Sequence, residues 1–189
     1  AMAREAPRGS FPRGISGEQS YWTVVGLDGD ARESLVNEDG MIETGKASFS
    51  VEPFLFANGR LAAWSDVQAR QSLEAGCLPI PTVHWAHGDL DLRITAFATG
   101  EPGASCIVAR YRVGNRGARH VPVTLFLALR PFQVNPPAQF LNTPGGTAPI
   151  RDVALEGRAV RVNGERALIV LERPSRFGAT TFDGGDVVA

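Results

Sequence analysis

The residues best suited to chemistry sit where an apolar strand stops. From Leu125 to Pro137 the chain reads Leu-Phe-Leu-Ala-Leu-Arg-Pro-Phe-Gln-Val-Asn-Pro-Pro. Strand alternation sends Val123, Leu125, Leu127 and Leu129 to one face and Phe126, Ala128 and Phe132 to the other, the pattern of a strand covered on both sides. Pro136 holds Asn135 extended, and neither proline can donate to a ladder, so pairing should end there. That leaves Arg130, Gln133 and Asn135 at a sheet rim, with Asn142 in the connection beyond and Pro144-Gly145-Gly146 as a flexible loop. Guanidinium and amide groups at a rim suit sugar hydroxyls or a domain interface, although the same residue types also cap ordinary turns. Trp64 and Trp85 are the candidate stacking faces, because an indole can lie against the apolar face of a pyranose.

Other chemistries find less support. His84 and His87 are three apart, which on a strand places them on opposite faces and argues against a shared metal ion. Cys77 and Cys106 have no CxxC spacing and no companion ligands, so two free, partly buried thiols are expected. Asp28, Asp30, Asn37, Glu38 and Asp39 miss the DxDxDG pattern and read as solvated hairpin turns. Glycosidic hydrolysis needs two carboxylates across one bond, yet nothing pairs any two of Glu52, Asp66, Glu74 and Asp89. GxSxG, P-loop and GxGxxG patterns are absent. The expectation is therefore no catalytic residue, no metal and no cofactor.

These groups must be positioned by strands. The 189 residues carry 19 Lys+Arg against 20 Asp+Glu, a net charge of −1 without a basic run, which disfavours nucleic acid. No apolar stretch nears the ~18 residues of a membrane span, and the first residues do not form a signal peptide, which favours a cytoplasmic setting. Residues 1–20, rich in Gly, Pro, Arg and Ser, read as a flexible lead-in or linker, and 21–189 as one domain cut from a longer protein. Short β-type runs end in Asp28-Gly29, Asp39-Gly40, Asn58-Gly59 and Asn163-Gly164, the dipeptides of tight hairpins. Further strands are expected at Val83–Trp85, Leu90–Ala98 and Ile107–Val113, and Ala62–Ala75 reads as strand and loop despite a helix-like Ser65 cap. The absence of a βαβ rhythm makes the fold all-β, an antiparallel two-sheet β-sandwich with little or no helix.

Several stretches together carry a resemblance: Tyr21-Trp22-Thr23-Val24-Val25-Gly26, Asn37-Glu38-Asp39-Gly40, Leu78 to Trp85, Ala109 to Asn115, and Arg130 to Pro137. They are similar to the N-terminal, galactose-mutarotase-like super-sandwich of large bacterial carbohydrate-active proteins, which precedes an (α/α)6 barrel in six-hairpin glycosidases and disaccharide phosphorylases. In those families the barrel carries the catalytic carboxylates. The resemblance thus implies a non-catalytic accessory domain that packs on a downstream helical barrel of the same parent chain and contacts glycan. The rivals are a free-standing aldose mutarotase or epimerase, using His84 or His87 with Glu52, and a purely structural or adhesive sandwich.

Overall fold

The computed structural model describes residues 2–139, 145–185 and 187, and the chain divides into two compact units, 1–148 and 149–189. In the first unit two four-residue helices, α1 (Met2–Glu5) and α2 (Arg13–Ser16), precede the strands. The first sheet is built from β1 (Trp22–Gly26), β2 (Glu33–Asn37), β3 (Ile42–Glu43), β4 (Ser50–Ala57) and β5 (Arg60–Ala62). The second takes β6 (Gln68–Glu74), β7 (Leu78–His87), β8 (Leu90–Thr99) and β9 (Cys106–Asn115), before β10 (Val123–Arg130) returns to the first. Strand orders are β1-β2-β3-β4-β10, with β5 also on β4, and β6-β7-β8-β9; every pairing is antiparallel.

The two sheets pack face to face because each has one apolar row. Val25, Val36, Ile42 and Leu55 from the first meet Val83, Trp85, Leu92, Ile94 and Ala96 from the second in a single buried cluster. The all-β, antiparallel expectation is met, and the strand at Leu90–Ala98 buries the same Leu90, Leu92, Ile94 and Ala96 face that its alternation indicated.

Turn chemistry explains the joints. Asn58 and Gly59, at φ 52° and 74°, close β4 onto β5 as the Asn-Gly pair requires. The turn between β2 and β3 is tighter in a different sense. Gly40 sits at φ 86°, and a Cβ there would run into Ile94 Cδ1, so this turn is pressed into one end of the sandwich. Asn37 holds it from inside: its Oδ1 accepts from the amides of Asp39 and Met41 at 3.0 and 2.9 Å. Asn37 and Asp39 are therefore buried rather than solvated, which corrects the reading of this acidic group.

Three further expectations need correction. Residues 1–20 are not a loose lead-in; Gly9 and Pro12 are buried, and Phe11 and Ile15 pack on Met41, Phe132 and Val134 against the outer face of the first sheet. The β10 strand is not fully covered on either face: the consecutive Phe126 and Leu127, which point to opposite faces, stay 47% and 39% exposed, and among the described residues β10 is an edge strand paired with β4. Cys77 and Cys106 are free but exposed, since both lie at strand ends beside turns.

The second unit, taken by itself, is a three-stranded meander of β11 (Val153–Glu156), β12 (Ala159–Val162) and β13 (Glu165–Ile169). Asn163 and Gly164 join the last two at φ 54° and 79°, and the Asn163 side chain also links back to Arg151 N and Pro149 O at 2.7 and 3.0 Å.

Gly40→Ala should destabilise the chain more than Gly164→Ala. Both substitutions force a side chain into the left-handed region, at about 1–2 kcal/mol, but only the first adds overpacking, at about 1–3 kcal/mol. Urea melts of the two variants measure the difference; equal losses would mean that the β2–β3 turn is not wedged between the sheets.

Candidate functional site

The rim residues named from sequence lie together at one end of the first sheet, but under cover. Arg130, Gln133 and Asn135 are 2%, 1% and 4% exposed. The cause is the segment 8–18, which crosses the outer face of the sheet as a strap. Arg130 Nη1 binds Glu52 Oε2 at 3.1 Å, Nη2 donates to the Ser10 carbonyl at 2.7 Å, and the guanidinium lies 4.7 Å from the Phe132 ring and 5.5 Å from that of Phe11. An arginine so placed ties a strand end to the strap and neutralises a buried carboxylate at once.

Gln133 and Asn135 follow in a short ladder of their own. Gln133 N donates to Gly146 O, Gly146 N to Asn135 O, and Ala148 N to Pro131 O, at 2.9, 2.8 and 3.0 Å. Gly145 leaves no room for a side chain, since a Cβ would press on Pro136 O and the Asn135 amide. The carboxylate of Glu43 accepts Asn135 N at 3.1 Å and is bonded as well to the amides of Val134, Ala47 and Ser48. Burial pushes the Glu43 pKa up despite those donors. The side-chain oxygens of Gln133 and Asn135 have no hydrogen-bond partner among the described residues. Asn142, the fourth rim residue, and Pro144 of the expected loop lie outside the described residues.

Neither tryptophan is an open platform. Trp85 is 1% exposed within the core, and its Nε1 donates to Asp39 O at 3.0 Å. Trp64 is 7% exposed; Arg8 and Arg13 place their guanidinium carbons 4.6 and 4.4 Å from its ring, and its Nε1 donates to Phe11 O at 3.0 Å. The stacking role expected for these two side chains is thus replaced by a structural one.

Sequence reasoning missed the residue that organises this region. Arg13 forks onto Asp39 with Nη2–Oδ1 at 2.7 Å and Nε–Oδ2 at 2.9 Å, and reaches Glu38 at 3.2 Å and Glu18 at 3.3 Å. The hydrogen bond to Asp39 is the main reason its pKa is raised. Glu38 shifts upward even beside this cation, because burial outweighs the attraction. Arg8 grips Glu18 through two bonds, at 2.9 and 3.0 Å, which lowers the Glu18 pKa. The only signal in the sequence was arginine among small residues, which does not distinguish a linker from a strap.

Beside this network opens a cleft of about 220 Å³, whose walls include Arg8, Arg13, Glu38, Asp39, Trp64, Arg70 and Gln71. Arg70 and Gln71 belong to the exposed edge strand β6 and make no side-chain hydrogen bond among the described residues. The histidines lie elsewhere. His84 Nε2 is 3.7 Å from Asp91 Oδ2, while His87 Nδ1 is 3.0 Å from Asp66 O. Glu52 lies on the outer face of the first sheet and His84 on the outer face of the second, so the body of the sandwich separates them. Comparison with protein-family models, with curated proteins and with solved structures returned no match.

Arg13→Ala should cost about 2–3 kcal/mol, since it strands a nearly buried Asp39 carboxylate and frees the strap. Hydrogen exchange should show lost protection across 8–18 first, with the β7–β8 hairpin spared; uniform loss would place the strap within the global unfolding unit.

Glu43→Gln should cost about 1–3 kcal/mol at neutral pH, because the new NH₂ faces backbone donors. The raised Glu43 pKa means that the native state takes up its proton before the unfolded chain does. Its contribution is thus complete below the ordinary carboxylate range and lost as pH rises through the raised value. Between neutral pH and that range, the melting-temperature gap between wild type and Glu43→Gln should widen as pH falls.

Proposed function

We propose that this chain is a non-catalytic β-sandwich module of a carbohydrate-active protein, in which it contacts glycan and packs against a helical barrel of the same parent chain. The observation that carries this reading is the fate of the buried carboxylates. Asp39 is held by Arg13, Glu52 by Arg130, and Glu43 by backbone amides. Each fastens one segment to another; Glu38 and Asp39 do line the cleft beside β6, but Arg13 binds both carboxylates there, whereas acid/base chemistry on a sugar asks for two carboxyl groups placed across the scissile bond. The mutarotase alternative would need Glu52 to converge with His84 or His87; the sandwich lies between Glu52 and His84, His87 is engaged by Asp66 O, and Glu52 is held by Arg130.

Contact with sugar is supported by the cleft beside β6. Its volume accommodates about one sugar ring, and Gln71, on the Val83 side of β6, offers an amide that is not already used by the protein. Hydroxyl groups pair readily with such an amide.

Calorimetric titration of the chain with neutral gluco- and galacto-oligosaccharides tests the reading. Binding should weaken about fivefold in Gln71→Ala, the loss of one hydrogen bond, with an unchanged melting temperature. Failure of the whole panel to bind at millimolar concentration would remove the glycan role.

A further inference from the structure

The outer face of the second sheet has an arrangement that the cleft does not explain. Cross-strand partners run Arg70↔His84, His84↔Arg93 and Arg93↔Arg112, so four basic side chains stand in one row across β6, β7, β8 and β9. They alternate with the buried Val83, Trp85, Leu92 and Ile94, which fixes their direction outward. Arg110, opposite Thr95, adds a cation in the adjoining row with Ser72 and Thr82. On the other side Asp91 receives Arg93, Arg116 and His84 at 3.8, 3.9 and 3.7 Å, all long contacts to a single carboxylate. Five arginines therefore share this face with Asp91 and with Asp89 in the turn at its end. The arginines are exposed.

Such a row opposes stability. Like charges directly across strands repel, and a chain with net charge −1 has enough acidic residues to alternate signs there. The guanidinium groups of Arg93 and Arg112 stand one strand apart, about 4.8 Å, that of Arg70 lies two strands from Arg93 with His84 between, and the row spans about 14 Å. Each fork matches a carboxylate in bidentate geometry, while Ser72 and the Thr82–Thr95 pair supply hydroxyl partners between charges. Large aromatics, on which unpaired bases would stack, do not stand in either row.

We infer that the outer face of the β6–β9 sheet is a docking surface for an acidic polysaccharide, a uronate chain laid across the strands along Arg70, His84, Arg93 and Arg112. The inference deepens the glycan-contact reading above and rests on it; Arg70 borders both surfaces, while Gln71 faces only the cleft and Arg93 and Arg112 stand only on the outer face.

The test is equilibrium binding of the full chain to oligogalacturonate, to a neutral galactan of equal length and to single-stranded DNA of equal charge. Oligogalacturonate should bind, the galactan should not compete for this face, and the affinity should fall with salt. Arg93→Gln with Arg112→Gln should weaken oligogalacturonate binding at least tenfold. The same double change should keep or raise the melting temperature, because it relieves repulsion. Absent oligogalacturonate binding, binding indifferent to the double change, or DNA binding as tight as oligogalacturonate would each overturn the inference. Neutral oligosaccharide binding that still depends on Gln71 would then leave the glycan-contact reading standing, so the two failures are distinguishable.

Discussion

The fork of Arg13 around Asp39 is the constraint from which the rest of the first unit follows. Asp39 can be nearly buried only because a guanidinium meets it with two short bonds. With that charge settled, the β2–β3 turn can enter the end of the sandwich, where its carbonyl receives the indole of Trp85 and Gly40 lies against Ile94. The same arginine brings its backbone neighbours across the outer face, so that Phe11 reaches Phe132 and Ser10 reaches Arg130. One ion pair thereby couples the inner core to the outer covering.

That coupling sorts the polar groups of the molecule into two populations. Inside are Asp39, Glu43, Glu52, Arg13 and Arg130, paired or bonded to amides, where removal of any partner leaves an uncompensated group. Outside are the arginines of the second sheet, spread around very few carboxylates and open to solvent. The first population is costly to disturb; the second contributes little to the fold.

Legibility in the sequence followed the range of the forces involved. Asn58-Gly59 and Asn163-Gly164 close hairpins through backbone conformations that two residues set by themselves, so they could be read directly. The inward row of β8 was legible for the same reason, as was the strand character of 68–74 after a short turn of helix at Trp64. The burial of Gln133 and Asn135 was not. It depends on a segment far away in the chain, and residues rich in Gly, Pro and Arg have the same composition whether they lie on a sheet or run free in solvent. The tryptophans failed in the same way: Trp64 is apolar and large wherever it sits, and only the arrival of Arg8 and Arg13 decides that its ring is covered. The basic row was hidden for another reason. Arg70, Arg93 and Arg112 are scattered in sequence and become neighbours only through strand register.

The strap also imposes an order in time. Its bond from Ser10 to Arg130 closes a loop of 120 residues, so the strap, made before every strand described, cannot take its place until β10 has been made and added to β4. Loop closure over that span is slow compared with the hairpins, which form from neighbouring residues. During synthesis the β7–β8–β9 meander can assemble on its own schedule, while Met41 waits without Phe11 and Ile15. The strap is thus fastened late in the folding of the first unit, and the interval before that fastening is when the outer apolar residues it covers are open to other chains.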